Sequence, residues 1–500
     1  MEALPVEICQ DIFLSALPYE SFSERSLRVR EHAVNFQIAA TCVRWRDIAL
    51  QTPSLWAQIK VHGFCGEWVI RYVTLSLERS GIFPLELRFT LDNIDRAEPS
   101  DAERYTTGLQ LAGKHVCRWK RVHIELPQWM TADGLSMLRM PSPLLEELVM
   151  LPVPKYQTHT NYRAASMINY RANLAANFDV KSLTGYFRDA QRLVRLEIHA
   201  TPMIPEHLLE RLAFLSISVR NIPDSPLWST LAITPNLRDL RVYYPLYSSS
   251  QTNNLPTDEI NLPQLTHMAL YGLPGSFDWL NFFHAPKLRA LTVGIEQCPR
   301  LRPLFIKFRD TVRHFIITTV DAPSGGGYFN ITDAVALDLL STIDTFEICN
   351  LTKSMLQNWN EYVASSYEDE PTDTARSSFF QHLVHRVRER EGWAARLRRF
   401  VVNGCTFQLN ACNSLFEFVR VKYEMDGEQE GFVCEVIGGT VLVEATDVNL
   451  DTVPQAFRDA VEIKAEPSNS RSDSDEELVG HEVNDLDEDE EDQISLIAQD

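Results

Sequence analysis

Residues 234–242 and 285–293 read TPNLRDLRV and APKLRALTV, and this pattern decides how most of the chain folds. Each segment has a proline-containing turn, then an apolar residue, then two more apolar residues three and five positions later. The last two alternate with polar residues, which is typical of a short strand with one buried face. Each segment therefore predicts a turn followed by a half-buried strand.

The pattern apolar-x-x-apolar-x-apolar occurs ten times. Successive units start 19 to 31 residues apart, except for two intervals of 48 and 54 residues, each of which indicates a missed unit or an insertion. A single unit cannot bury its own apolar face, so stacked units must share one continuous core. We therefore expect short, roughly parallel strands in one curved sheet. The ten segments are 119–124, 145–150, 193–198, 212–217, 237–242, 265–270, 288–293, 312–317, 343–348 and 397–402.

These units resemble the leucine-rich repeat in an irregular form. The asparagine or cysteine that usually follows the last apolar position is nearly absent, and only Cys405 fits. The resemblance implies a concave surface, formed by residues that flank the buried positions, on which a protein substrate binds. Arginine and tyrosine are common at interface centres, although an ordinary solvated strand face explains the same residues. The candidate substrate-binding residues are Arg195, Arg241, Tyr243, His267, Tyr271 and His314.

The first 58 residues predict helices. Leu4, Ile8 and Ile12 recur at four-residue steps, and residues 34–50 predict a second apolar helix that ends before Pro53. Periodicity alone favours a small helical bundle that packs on whatever follows.

The residues in this segment resemble the F-box, in the version common in mushroom-forming fungi. The matching pieces are LPVEI at 4–8, IF at 12–13, CVRWRDIA at 42–49 and TPSLW at 52–56. The insert at about 19–36 is longer than in most F-boxes, and the order Cys42-Val43 reverses the usual one.

The F-box resemblance implies a partner, the Skp-type adaptor of SCF ubiquitin ligases, and through it a cullin-RING ligase. Trp45 fits a second role equally well, as a core residue that packs towards Leu55 and Trp56. By position, the candidate adaptor-binding residues are Leu4, Pro5, Ile8, Ile12, Phe13, Val43 and Trp45.

The predicted fold class is α/β, with a small helical F-box followed by an irregular leucine-rich-repeat solenoid and a disordered acidic tail. The expected segments are an F-box-like domain at 1–58, a transitional helix/strand segment at 59–128, the solenoid at 129–410, a C-terminal β cap at 411–463 and the tail at 464–500. The cap prediction rests on alternating apolar residues from Phe416 to Tyr423, followed by Asp426-Gly427, which is typical of a hairpin.

Charge separates the tail from the body. The chain has 47 basic and 68 acidic residues and a net charge of −21, of which 14 acids and one arginine lie in 465–500. Such a balance argues against general binding to nucleic acid or to membranes. The arginine-rich stretch 386–399 is interrupted by acids, so a solvated helix face or a dock for the acidic tail is preferred. Ser472 and Ser474 precede acids by three residues and are phosphorylation candidates.

Catalytic and cofactor motifs are absent from the sequence. It contains no phosphate-binding loop, nucleotide fingerprint or nucleophile elbow, and its nine cysteines lack zinc spacing. We therefore expect no enzyme activity, no cofactor, no metal, and a cytoplasmic or nuclear protein. The predicted function is a substrate-recognition subunit of an SCF-type ligase. The alternatives are an interaction scaffold that acts outside a ligase and an enzyme of unrecognised type.

Overall fold

The computed structural model shows an α/β chain whose largest element is an open parallel sheet of 13 strands. Helices precede the sheet and pack near both of its ends. The structure describes residues 4–17, 34–62, 68–91, 99–126, 133–152, 187–198, 206–218, 230–243, 259–271, 281–294, 306–318, 342–350, 379–389, 394–426, 432–438, 440–443 and 462–465.

The helices that the structure describes are mostly near the two ends of the chain. Two short 3-10 helices, Val116–Arg118 and Asp133–Arg139, lie between them. The α-helices are α1 (Val6–Ala16), α2 (Val34–Thr41), α3 (Val43–Leu50), α4 (Pro53–Trp56), α5 (Trp68–Arg79), α6 (Pro99–Gly113), α7 (Glu206–Leu209), α8 (Phe379–Glu389) and α9 (Leu409–Asp426).

The strands follow the chain through the sheet, and every pairing in it is parallel. Strands β8 and β10 form a separate pair, and β15, β17 and β18 form a small sheet. The strands are β1 (Gln58–His62), β2 (Leu85–Thr90), β3 (Trp119–Leu126), β4 (Glu147–Pro152), β5 (Arg195–Ile198), β6 (Phe214–Ser218), β7 (Asp239–Tyr243), β8 (Ile260–Asn261), β9 (His267–Tyr271), β10 (Phe283–His284), β11 (Ala290–Gly294), β12 (His314–Thr318), β13 (Thr345–Cys349), β14 (Arg399–Asn403), β15 (Thr406–Gln408), β16 (Val433–Ile437), β17 (Thr440–Val443) and β18 (Glu462–Ala465).

The repeat pattern correctly predicted the strands. All ten segments contribute a parallel strand to the large sheet, from β3 to β14. The two long intervals are insertions, because β4 pairs directly with β5 and β13 pairs directly with β14. The sheet also extends past both ends of 129–410, through β1 to β3 on one side and β16 on the other.

The core is built by the three apolar positions of each unit. The leading residue is buried in every unit, as Leu237 and Leu288 illustrate. In most units its amide donates to the carbonyl three residues earlier, as Leu237 N–H does to Thr234 O at 3.2 Å and Leu288 N–H to Ala285 O at 3.2 Å. This turn delivers the leading side chain into the core just before the strand begins.

An aromatic row strengthens the C-terminal half of the core. Phe315 stacks on Phe346 with ring centroids 5.8 Å apart, and Phe346 meets Phe400 at 5.5 Å. Phe418 continues the row at 5.3 Å, and Phe432 follows at 6.5 Å. Aromatic pairs at this spacing add stability beyond the burial of their area. The row therefore ties β12, β13 and β14 to α9 and to the residue just before β16.

The C-terminal region corrects the hairpin prediction. Residues 416–423 lie in helix α9 rather than in a strand, so the expected β cap begins with a helix. Leu415, Phe418 and Val421 are buried at helical spacing. The apolar residues between them produced an alternation in the sequence that is also typical of a strand, which is why a strand was expected. The strands that follow are parallel, because β16 pairs with β14 and β17 pairs with β15.

Two element boundaries also differ from the sequence prediction. The single helix expected at 34–50 is two helices, because Cys42 is extended and its sulfur accepts from the backbone N–H of Trp45 at 3.5 Å. Strand β18 runs to Ala465, two residues into the segment predicted as tail. The rest of the tail lies outside the described residues.

The aromatic row generates a stability prediction. Replacing Phe346 with Ala leaves a cavity between Phe315 and Phe400, so we expect a loss of about 3–5 kcal/mol in the free energy of unfolding. Denaturant titration followed by tryptophan fluorescence measures it. The control is Phe83→Ala at an exposed turn residue, where the expected change is below about 0.5 kcal/mol. Equal losses in the two variants would contradict the role of the row.

Candidate interaction surfaces

Helices α1 to α4 enclose a small core of their own. Phe13, Ile38, Ile48, Leu55 and Trp56 are buried in it together with Cys9, Ala39 and Ala49. The indole N–H of Trp56 donates to the carbonyl of Ala49 at 2.7 Å, which satisfies its polar atom inside the core. The helices therefore pack through one side only of α1 and α3.

The other side of α1 and α3 carries large apolar residues that are exposed to solvent. Val43 is 69% exposed, Ile8 44% and Trp45 37%, and Leu4, Pro5 and Ile12 are also exposed. Val6, Leu14 and Leu50 are exposed as well, although the motif did not single them out. We call Leu4, Ile8, Ile12, Val43 and Trp45 the apolar patch.

Two contacts join the parts of the apolar patch. The Arg44 guanidinium donates to the backbone carbonyl of Leu4, which holds the start of α1 near the start of α3. The Trp45 ring packs on Phe13 with centroids 5.0 Å apart. Phe13 is buried, so among the predicted adaptor-binding residues it supports the patch from below. Trp45 is part of the core and of the patch, because its ring packs on Phe13 and about a third of its surface is exposed.

The sheet has a second face, opposite the core, which we call the polar face. Parallel register places its residues in straight rows across the strands. One row is Glu147, Arg195, Phe214, Asp239, His267, Ala290, His314, Thr345 and Arg399, and the next is Val149, Glu197, Ser216, Arg241, Ala269, Thr292, Ile316, Glu347 and Val401.

The first group on the polar face is centred on Arg195. Its Nε lies 2.7 Å from Glu147 Oε1, and its NH2 lies 3.6 Å from Glu197 Oε2. Its guanidinium also covers the ring of Phe214, at 3.6 Å from the centroid. Burial raises the pKa of Glu147, although Arg195 acts in the opposite direction. Arg195 is thus held flat on the face with its charge partly balanced.

The second group combines charge with aromatic surface. His267 Nδ1 lies 3.1 Å from Asp239 Oδ2, and its Nε2 lies 2.9 Å from Thr292 Oγ1. Burial acts to raise the pKa of Asp239, but His267 and Arg241 outweigh it and hold that pKa below its usual value. This group borders a stacked pair of tyrosines.

The tyrosine pair is formed by Tyr243 and Tyr271, whose ring centroids are 4.5 Å apart. Burial raises the pKa of the Tyr271 hydroxyl, so the ring stays neutral at physiological pH. Both rings belong to the row that follows Arg241 along the strands. The structure thus brings four of the six predicted substrate-binding residues, Arg241, Tyr243, His267 and Tyr271, onto the neighbouring strands β7 and β9.

The third group contains His314, on β12, which lies two strands from Tyr271 on β9. His314 Nε2 lies 3.2 Å from Glu347 Oε2, and the Cys349 thiol donates to Glu347 Oε1 at 3.1 Å. The hydrogen bond from His314 is the main cause that lowers the pKa of Glu347 to about 2. Burial raises the pKa of Cys349, which keeps it a thiol. This His314 group is separate from the group around Arg241.

Sequence reasoning missed several polar-face residues. Asp239, Glu347 and Phe214 flank the buried positions in the same way as the predicted substrate-binding residues. The alternation of the strand was the signal that would have found them. Their roles as partners of His267, His314 and Arg195 depend on which residues stand opposite on neighbouring strands, which spacing within one unit does not reveal.

The other expectations concern ligands and modification. Across the described ranges, no three His, Cys, Asp or Glu side chains come together as a metal site would require. No helix in those ranges combines the length and apolar character needed to cross a bilayer. Ser472 and Ser474 lie outside the described residues.

Comparison with known proteins adds no assignment. No family model matches the chain, and no curated protein matches it in sequence.

The His314–Glu347 pair generates a pH prediction. Because the folded pKa of Glu347 is about 2 and its usual value is 4.5, its contribution to stability is present above pH 4.5 and is lost as pH falls towards 2. Carbon-13 NMR of labelled glutamate side chains measures that pKa, with Glu347→Gln identifying the signal. In His314→Gln the pKa of Glu347 should rise towards 4.5. A value near 4.5 in the unsubstituted protein would contradict the pairing.

Proposed function

We propose that this chain is a substrate-recognition subunit of an SCF-type ubiquitin ligase. In this proposal the N-terminal helices bind the Skp-type adaptor, and through it a cullin-RING ligase, while the polar face of the sheet binds a protein substrate. One observation carries the proposal: most of the apolar residues at the F-box motif positions are in water instead of in the core.

The apolar patch supports binding of a partner because exposure of these side chains is costly. Burial of one Leu, Ile or Val side chain contributes about 1.5–3 kcal/mol. Soluble monomers rarely keep contiguous apolar patches of large size, and such patches mark interaction sites. Val43 and Ile8 sit on two different helices that Arg44 links through the Leu4 carbonyl, so a partner meets a surface that is already assembled.

The chemistry of the apolar patch favours a protein partner with an apolar surface. Trp45 offers a ring that is packed on Phe13 and therefore loses little freedom on binding. Aromatic residues anchored in this way are frequent hot spots in interfaces. The F-box resemblance names the Skp-type adaptor as that partner.

The polar face supports the substrate half of the proposal. Arg241, Tyr243 and Tyr271 lie together on β7 and β9, and tyrosine and arginine are enriched in interface hot spots. The ion pairs of Arg241 with Asp239 and of Arg195 with Glu147 fix these side chains before a substrate arrives. A subunit of this kind would act in the cytoplasm or the nucleus.

A scaffold that acts outside a ligase is the alternative, and adaptor binding separates the two. In the double variant Ile8→Lys/Val43→Lys, two ammonium groups enter the centre of the apolar patch, so we expect adaptor affinity to fall by about 100-fold or more. Pull-down and calorimetry with purified adaptor measure this. The melting temperature should stay nearly unchanged, because both side chains are exposed.

The matched control places the same two lysines on other exposed apolar residues. Ile82 is 89% exposed and Ile306 66% exposed, and both lie outside the N-terminal helices. Ile82→Lys/Ile306→Lys should bind the adaptor as tightly as the unsubstituted chain does. Failure of the unsubstituted chain to bind any Skp-type adaptor would leave the scaffold as the better account.

A further inference from the structure

A row of positive charge runs along the edge of the sheet where strands β5 to β14 begin. It consists of the residues immediately before and after the leading apolar residue of each unit. Eight of these sixteen positions are cations and one, Asp344, is an acid. We call the eight cations the cationic edge: Arg192, Arg211, Arg238, Lys287, Arg289, Arg313, Arg396 and Arg398.

Backbone hydrogen bonds show that the turns which carry this edge lie side by side. Arg289 N–H donates to Thr266 O, and Arg313 N–H donates to Arg289 O, each at 2.8 Å. The same ladder connects Arg238 to Thr266 and reaches Arg398 through Asp344. Neighbouring strands are about 4.8 Å apart, so the eight strands from β5 to β14 carry the edge over roughly 34 Å.

The charge of the cationic edge is not neutralised within the described part of the chain. Arg211 donates to Gln191 O at 2.6 Å and Lys287 to Gln264 Oε1 at 2.8 Å. Arg289 and Arg313 likewise donate to backbone carbonyls of the next units. These oxygens are uncharged, so the bonds orient the cations and leave their charge in place.

The remaining cations of the edge point to the same conclusion. Arg192, Arg238, Arg396 and Arg398 are exposed and form no ion pair with a described residue. Two acids in the same turns, Glu210 and Asp310, reduce the net charge of the edge from +7 to +5. This surplus stands out in a chain whose total is −21.

We propose that the cationic edge binds the acidic tail of the same chain, through the stretch 485–492. Seven of the eight residues in DLDEDEED are acids. An extended chain rises about 3.3 Å per residue, so this stretch covers roughly 26 Å and matches most of the edge. The proposal is independent of the adaptor and adds a regulated surface to the one that recognises a substrate.

The tail starts close enough to reach the edge. Its last described residue, Ala465, ends β18, which is two strands from β15 in the small sheet. Strand β15 follows the C-terminal end of β14 after Gly404 and Cys405, so the path from Ala465 back to the edge runs along the five residues of β14, roughly 17 Å. Nineteen residues separate Ala465 from Asp485, and a chain of that length has a root-mean-square reach of about 24 Å when it is flexible.

Tethering favours the tail over free polyanions. A linker of this length gives the attached segment an effective concentration in the millimolar range. Exposed charge pairs are individually weak and screened by salt, so binding needs many of them at once. Seven acids facing eight cations satisfy that condition without a fixed side-chain geometry. An occupied edge would also turn away nucleic acid and acidic proteins.

A zero-length cross-linker tests the proposal on the full chain. Carbodiimide joins lysine amines to carboxylates that touch them, and mass spectrometry identifies the joined residues. We expect Lys287 to link to 485–492 with a yield about fivefold or more above that of the exposed Lys114 just after α6, and the excess to vanish in 1 M salt. Equal yields at Lys287 and Lys114 would overturn the proposal.

Matched substitutions and isotope mixing complete the test. Arg238→Gln/Arg289→Gln should lower the Lys287 yield by about fivefold. Arg71→Gln/Arg420→Gln removes the same charge from exposed arginines on α5 and α9 and should leave the yield unchanged. In a mixture of heavy and light chains, the links should join residues of one isotope only. Heavy–light links in the proportion expected from random mixing would assign the edge to a second molecule and overturn the proposal.

Discussion

The whole structure depends on one constraint: no repeat unit can bury its leading apolar residue and its strand without a neighbour on each side. Leu237 and Leu288 reach zero exposure only because the adjacent units cover them. Stability in such a stack is a sum of neighbour contacts, and it is largest where the contacts are largest. The aromatic contacts of Phe346 with Phe315 and Phe400 add to those neighbour contacts in the C-terminal half.

Strict parallel register turns this packing requirement into surfaces. Once each Leu lies beside the corresponding Leu of the next unit, every other position also forms a row. The polar face takes one set of rows and carries Arg241 beside Asp239 and His267. The turns before the strands form another set of rows, which contains the cationic edge. One exposed charge, such as that of Arg289, has little effect alone. Several such charges in aligned units form an extended charged surface.

The sequence predicted the strands well, but it did not predict which side chains contact one another. Alternation in 237–242 or 288–293 reports burial directly, and the structure has strands there. It failed at 416–423, where apolar residues sit at both spacings and the helix is stabilised by the burial of Phe418 against Phe400. The motif found the residues of the apolar patch, but only packing shows that Phe13 lies beneath Trp45. The pairing of His314 with Glu347 spans 33 residues, beyond any local pattern.

The two insertions have a consequence for how this protein can change over time. Residues 153–186 lie in the chain between β4 and β5, and residues 351–378 lie between β13 and β14. In both cases the two flanking strands are hydrogen-bonded directly to each other. The cost of closing a loop grows only with the logarithm of its length. Mutation can therefore lengthen, shorten or replace either segment while the register of the sheet persists.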